Sequence, residues 1–423
     1  MLTFFLSFFI FMIIKIPIGF AMLCSSCLYM LANQESMMIM VQRVLAAPNS
    51  FTMLAVGFFI LTGNLMNTGG ITSRIFDFAQ KLVGHLTGGI GHAIVVASII
   101  FSGMSGSAVA EAGGLGLIEL KAMKDNGYDE DFSLALTASS SIIGPIIPPS
   151  VPAVIFGVAS GVSIGRLFLG GVVPGLLMGL TLSIMVYLFA KKHKYPRPPR
   201  PALSEMWKSF CNAFLPLMTP IIIIGGMMFS IFTPTEASVV AVVYALILGL
   251  LSRELTFSDI PDILAESIEA TVSILFMVGC SNIFGWVIAT TQMAQALASW
   301  FSTYISSPIV ALLLINLFLV ILGCFMETLS ALVILVPILM PIITPLNIDP
   351  VHFGIVVILN LMIGLMTPPV GMVLYVLSNI SGVPFERIGK ACIPFIGVMF
   401  LLLLVITLCP PLSTALPNLF FNT

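Results

Sequence analysis

Apolar residues run along this chain in long blocks, with no polar face recurring at helical spacing. Blocks at 50–70, 88–104, 165–190, 210–232, 235–252, 268–290, 307–326 and 391–411 carry few charges. A helix apolar on all sides belongs in lipid or a deep core, and about 20 such residues cross a bilayer. Three further blocks are interrupted. The block 1–31 breaks at Lys15 and Pro17, and 131–160 and 352–380 break at "GPIIPPS" (Gly144–Ser150) and "GLMTPPV" (Gly364–Val370). Each proline removes a helical hydrogen bond and pushes the residue before it out of helical conformation. Shorter apolar pieces at 105–120 and 328–345 follow a full span directly. They are too short to cross and return, and read as halves of re-entrant hairpins.

The breaks recur. Gly103 and Gly323, Gly144 and Gly364, Pro148 and Pro368, and Pro149 and Pro369 all stand 220 residues apart. "GVSIGRL" (Gly161–Leu167) then meets "GVPFERI" (Gly382–Ile388), and upstream Gly57 and Gly63 match Gly279 and Gly285. An ordered series of this kind marks two homologous halves. The first is 1–200, with a hairpin at about 102–124 and a broken helix at about 131–160. The second is 201–423, with a hairpin at about 323–346 and a broken helix at about 352–380. The expected fold class is therefore an all-α polytopic membrane protein. A parallel or an inverted repeat fits this spacing; inverted repeats with discontinuous helices at their interface are common in secondary carriers.

Composition strengthens the membrane reading. The 423 residues are 59% hydrophobic and 8% charged, where a soluble domain carries about 25% charged residues. Sixteen basic and 18 acidic residues leave no field that would suit nucleic acid. Seven cysteines are scattered through apolar runs, with no second pair or nearby histidine to complete a metal set. The opening "MLTFFLSFFIFMIIK" lacks a basic n-region and reads as a first membrane helix rather than a cleaved leader. "KKHKYPRPPRP" (Lys191–Pro201) is the one strongly basic run, and the positive-inside rule puts it in the cytoplasm.

Four segments could carry chemistry. "SGMSGSAVAEAGG" (Ser102–Gly114) offers Ser105, Gly106 and Ser107 at a hairpin tip. The amides and positive dipole end of the half-helix starting there would favour a carboxylate. The same small residues would also make a plain packing face. Its mate "GCFMETLSALVILVP" (Gly323–Pro337) places Glu327 and Thr328 at the matching tip, and an acid at membrane depth is a functional candidate by default. At the two breaks, carbonyls around Gly144, Pro145 and Pro148 and around Gly364, Thr367 and Pro368 are freed, with Ser139, Ser141 and Asn360 nearby. Such hard oxygen donors suit an alkali cation, although proline pairs can also simply kink a span. "GMSG" (Gly103–Gly106) fits the G-x-S-G of intramembrane serine proteases. His85, His92, His193 and His352 all lie at span edges or in the linker, so no base is at hand. A channel is a further possibility, and no phosphate-binding loop points to ATP. The chain is expected not to be an enzyme.

"SGSAVAEAGGLG", "IIGPIIPPS", "PTEA" and "LMTPPVG", in this order, resemble the large membrane subunit of the tripartite ATP-independent periplasmic (TRAP) transporters. The resemblance covers essentially the whole chain. It implies a sodium-coupled (Na+) importer of small organic acids in a bacterial inner membrane, working by an elevator movement. Sialic acids, C4-dicarboxylates, sugar acids and oxo acids are the family's substrates. It implies as partners a small four-helix membrane subunit, expected here as a separate polypeptide, and a periplasmic substrate-binding protein, besides the lipid bilayer. Carried onto this chain, substrate falls to Ser105, Gly106, Ser107, Glu327 and Thr328. Sodium falls to Ser105, Ser107, Gly144, Pro145, Pro148, Glu327, Thr328, Gly364, Thr367 and Pro368, largely through backbone carbonyls. A stand-alone sodium–dicarboxylate symporter would show the same hairpins and breaks.

Overall fold

A computed structural model describes residues 2–421 except 47, 69, 196, 230, 293–295, 297, 298, 300–302 and 306, and except the side chains of Leu2, Thr68 and Ser105. Described elements are helical throughout. The interrupted first block gives α1 (Leu2–Ile13) and α2 (Ile18–Ala32), separated where Lys15 adopts positive φ ahead of Pro17. Next come α3 (Met37–Ala46) and α4 (Leu54–Thr68). The amphipathic α5 (Ile71–Val83) buries Ile71, Ile75, Phe76 and Ala79 along one stripe.

The paired elements follow. Helices α6 (Gly89–Ser105) and α7 (Ala108–Asp125) meet at a two-residue turn, Gly106–Ser107. The first broken helix is α8 (Glu130–Ser141) and α9 (Val151–Ser160), and α10 (Ile164–His193) runs the length of the protein. After the linker come α11 (Leu203–Met228), α12 (Pro234–Leu251) and α13 (Ile260–Thr290). Then α14 (Pro308–Gly323) turns into α15 (Thr328–Ile343), and the second broken helix is α16 (Pro350–Leu365) and α17 (Met372–Ser381). Helices α18 (Phe385–Leu408) and α19 (Pro411–Phe420) close the described chain. At α12 the "TPTE" segment forms a capping box: Thr233 and Glu236 satisfy each other's backbone amides.

Among the described residues six helices are long and apolar enough to cross a membrane: α10 to α13, α18, and α15 with its continuation to Leu346. The bent pair α3 and α4 would make a seventh span. Thr328–Leu346 matches the piece expected at 328–345 to within one residue, yet it is long and apolar enough to cross, with Pro337 and Pro341 inside the helix. Helices α6, α14 and α16 are shorter apolar helices, and each ends at a hairpin tip or a break.

Salt bridges and hydrogen bonds define two ends. At one, Arg387 pairs with Glu130 (3.1 Å) and Asp131 (2.7 Å), Tyr195 donates to Asp129 (2.7 Å), and Arg74 meets Glu254 (2.5 Å). At the other, Arg166 donates to Asn418 (2.9 Å) and the His352 ring contacts Ser413 (2.7 Å). Helix α8 therefore starts beside the end of α10, whereas α16 starts beside its beginning. The two broken helices enter from opposite ends. Their packing is reciprocal: α15 lies on α9, and α7 lies on α17. Around them, α12 packs on α4 and α13 on α2.

Close seating of the second hairpin depends on two glycines. A Cβ at Gly364 would stand 2.5 Å from the backbone carbon of Gly323, and backbone cannot give way as a flexible side chain can. Gly397, on α18, has nothing within 4 Å of the same position. Gly364→Ala should cost about 1–3 kcal/mol through overpacking, while Gly397→Ala gains helix propensity of up to about 1 kcal/mol. Melting in detergent should show a lowered transition for the first and none for the second; equal melting would remove the close approach from the account.

The end holding Lys191–Arg200 should face the cytoplasm. In a cysteine-free background, His193→Cys should resist an impermeant thiol reagent added outside spheroplasts and react after permeabilisation. Labelling before permeabilisation would invert this orientation.

Candidate functional site

Both hairpin tips are built by helix termination. At the first, Gly106 takes a left-handed conformation (φ 59°), ending α6 where a side chain would be strained. Ser107 is extended and caps α7, its hydroxyl accepting from the Ala110 amide (3.4 Å). A Cβ on Gly106 would come 2.7 Å from the Pro149 carbonyl, so this tip sits directly on the first break. At the second, Glu327 caps α15: its carboxylate accepts from the Ser330 amide (2.9 Å) and hydroxyl (3.3 Å). The Val370 amide donates to the Cys324 carbonyl (3.2 Å), and the Thr328 hydroxyl points at the Leu361 carbonyl (3.5 Å). Each tip thus covers the break that follows it.

Side chains also hold the breaks open. The Ser150 hydroxyl donates to the Pro145 carbonyl while accepting from the Ala153 amide (3.1 Å), capping α9. Thr367 donates back to the Ile363 carbonyl (2.7 Å). The Pro148–Pro149 and Pro368–Pro369 bonds are both cis.

The tips open onto one cavity of about 310 Å³. Gly106, Ser107, Pro145, Glu327 and Thr328 line it together, drawn from the two hairpins and the first break. The opposite wall is Asn64 and Asn67 of α4 and Glu266 of α13. The remaining candidates lie elsewhere. Gly144 is buried under Glu111, whose Oε2 would be 2.6 Å from a Cβ there, and Pro148 is buried beside it. Gly364 is sealed against Gly323, Thr367 is half-buried, and Pro368 is exposed next to Gly389. Ser105 ends α6, and its side chain lies outside the described part of the structure.

Several hydroxyls and amides named from sequence are spent locally. Ser139 donates to Ala135 (2.6 Å) and Ser141 to Ala138 (3.0 Å), the usual back-bonding of serine inside helices. Asn360 gives its amide to the backbone and side-chain oxygens of Asn316 (3.0 Å each), and Asn316 in turn donates to Thr407 (2.9 Å). That network ties α16 to α14 and α18, away from the cavity.

Sequence reasoning passed over two groups. Asn64, Asn67 and Glu266 form the facing wall, and the signal for the two asparagines was their three-residue spacing within "GNLMN". Glu111 and Glu119 are both 1% exposed on α7. The second half places Ala331 and Leu339 at the matching offset, so no duplication drew attention to them.

Among the described residues no three His, Cys, Asp or Glu side chains gather as a metal cluster. The cavity's polar groups are hydroxyl, carboxamide, carboxylate and backbone, a set of hard oxygens and amides.

This geometry agrees with what the chain is similar to. Residues 5–412 match the family described as "Tripartite ATP-independent periplasmic transporter, DctM component". The sialic acid TRAP transporter large permease protein SiaM of Vibrio cholerae is 47% identical over 408 residues, 96% of each chain. The C4-dicarboxylate TRAP transporter large permease protein DctM of Pseudomonas aeruginosa is 37% identical over 390 residues, 92% of this chain and 91% of that one. In fold, the chain resembles the YdaH transporter of Alcanivorax borkumensis, with a TM-score of 0.65 at 14% identity, covering 89% of this chain and 88% of that one. The chain belongs to the DctM family of large TRAP permeases: it is a multi-pass inner-membrane transporter subunit and not an enzyme.

Proposed function

We propose that this permease imports a small carboxylate, with sialic acid as the first candidate, using a sodium gradient and receiving its substrate from a periplasmic binding protein. A small four-helix membrane subunit completes the system. The observation that carries this reading is the convergence of both hairpin tips and the first break on one cavity of about 310 Å³. Sialic acid precedes C4-dicarboxylates because SiaM is the more similar of the two relatives, at 47% against 37% identity.

Charge divides the roles at the tips. The first turns of α7 and α15, capped by Ser107 and Glu327, set positive dipole ends at the cavity, which favours a substrate carboxylate. Glu327 would repel that carboxylate, so its place is beside the cation. Sodium would be held by Glu327, the Ser107 and Thr328 hydroxyls, and carbonyls of the first break such as Pro145. When bound, it supplies the positive charge that lets an acidic tip and an acidic substrate share one cavity. Gly144, Pro148, Gly364, Thr367 and Pro368 act behind this surface by shaping the breaks.

The opposite starting ends of α8 and α16, and the reciprocal packing of α15 on α9 and α7 on α17, support two inverted halves. Hairpins and broken helices then form one transport body, moving as an elevator against the scaffold wall of α4 and α13.

Proteoliposomes holding both membrane subunits should take up labelled sialic acid only with an inward sodium gradient and added binding protein, and without ATP. Full uptake with potassium in place of sodium would end the coupling claim. Uptake independent of the binding protein would make the chain a stand-alone symporter.

Glu327 separates cap from charge. Glu327→Ala loses the cap, worth about 1 kcal/mol, and should melt lower. Glu327→Gln keeps a capping acceptor and should melt like wild type, yet raise the sodium concentration for half-maximal uptake by about tenfold, the loss of roughly 1.5 kcal/mol of charged contact. A Gln variant with unchanged sodium dependence would confine Glu327 to capping.

A further inference from the structure

A second cavity, of about 570 Å³, lies along the same seam as the first. Its transport-side wall is again α9 and α15, now at Ile155 and Val333 rather than Val151 and Thr328. Its scaffold wall is Arg43 of α3, Ser50, and Asn282 and Trp286 of α13. The two cavities are therefore successive stations beside the same two moving helices, separated along α13 by the stretch from Ile274 to Val278.

The stations differ in charge. The scaffold presents Glu266 at the tip cavity and Arg43 at the second. Arg43 is the one charged residue of that second lining, and among the described residues its side chain makes no ion pair. Its position is fixed by its own backbone, because the Asn282 amide donates to the Arg43 carbonyl (2.8 Å) and ties the last turn of α3 to α13. Ser50 and Asn282 stand close to Thr235 and Phe51, which belong to the end opposite the basic linker.

A plain alternative is that Arg43 complements the α3 dipole and reaches for the membrane surface. Lysine would serve that purpose equally. Arg43 is exposed at the edge of a half-open, largely apolar cavity whose other polar lining is Ser50, Ser281 and Asn282, and a planar guanidinium there is suited to gripping a carboxylate through two parallel hydrogen bonds. Trp286 adds an aromatic face against which a sugar ring or short carbon chain can lie. Resting on the reading of this permease as a carboxylate importer, we propose that the cavity is a receiving subsite on the non-cytoplasmic side, where Arg43 takes the substrate's carboxylate before the hairpin tips do. On this account the scaffold wall attracts the anion where it arrives and, through Glu266, disfavours it where it leaves.

The test compares wild type, Arg43→Lys and Arg43→Gln, each with both membrane subunits and the binding protein in liposomes, using sialic acid and, separately, succinate. Arg43→Gln should raise the KM for uptake by about ten- to a hundredfold, the range expected for a lost charge-assisted contact, with kcat within about twofold. Arg43→Lys should fall between, since charge survives and the bidentate grip does not. Sodium dependence and melting temperature should stay at wild-type values in both. Acid-dependent thermal stabilisation of the detergent-purified protein gives a second readout and should weaken in the same order. Equal KM values for wild type and Arg43→Gln, in vesicles that do take up acid, overturn the subsite alone. A matched loss in Lys and Gln variants with lowered melting also overturns it, by assigning Arg43 to packing. A wild type that neither binds nor carries either acid overturns the importer reading together with the subsite.

Discussion

Backbone that leaves a helix at membrane depth must find partners inside the protein, since lipid offers none. Everything else in this structure follows from how two breaks meet that demand. Each hairpin tip is pressed onto the break that follows it. Gly106 comes against the Pro149 carbonyl, and Gly323 against Gly364, with the Val370 amide bonded to Cys324. Only glycine allows approach this close. Once the tips are seated, Gly106, Ser107, Pro145, Glu327 and Thr328 share one small cavity.

The two halves keep that backbone solution and differ in side-chain chemistry. The first half buries Glu111 and Glu119 on α7, where the second has Ala331 and Leu339. The second half carries Glu327 at its tip, where the first has Ser107. Pro148 is buried while Pro368 is exposed, so the first break is enclosed and the second lies open to its surroundings. A carrier needs one route in and one out, and two sites identical in chemistry and exposure would not distinguish them.

Much of this was legible in the sequence because duplication amplifies weak signals. One proline pair is a kink; the same pair 220 residues on, beside a matching glycine, is an architecture. Hairpin tips and breaks could be placed this way. Features belonging to one half escaped, notably Glu111, Asn64, Asn67 and Glu266, because no offset partner marked them. Side-chain direction was also beyond reach. Asn360 sits beside the second break in sequence, yet its amide turns to Asn316 because α14 packs on that face of α16. Similarly, the piece 328–345 read as too short to cross and return, whereas the helix there is long and apolar enough to cross.

The seam between the proposed transport helices and the scaffold wall carries few polar contacts. The transport side is α9, "VPAVIFGVAS", and α15, "TLSALVILVPILMPII", almost bare of groups that could anchor either helix to the wall. A hydrogen bond that does cross, from the Ser281 hydroxyl to the Val333 carbonyl (2.6 Å), is worth about 1 kcal/mol net. An apolar seam costs little to shift, since lost contacts are replaced by similar ones a helical turn further on. Strong polar interactions are instead kept within each body: Asn360 to Asn316 and Arg387 to Asp131 on one side, Asn64 to Ser267 (2.9 Å) on the other. Two bodies bonded firmly within and weakly to each other suit the elevator movement proposed above, because this division of polar contacts favours rigid-body movement over local gating.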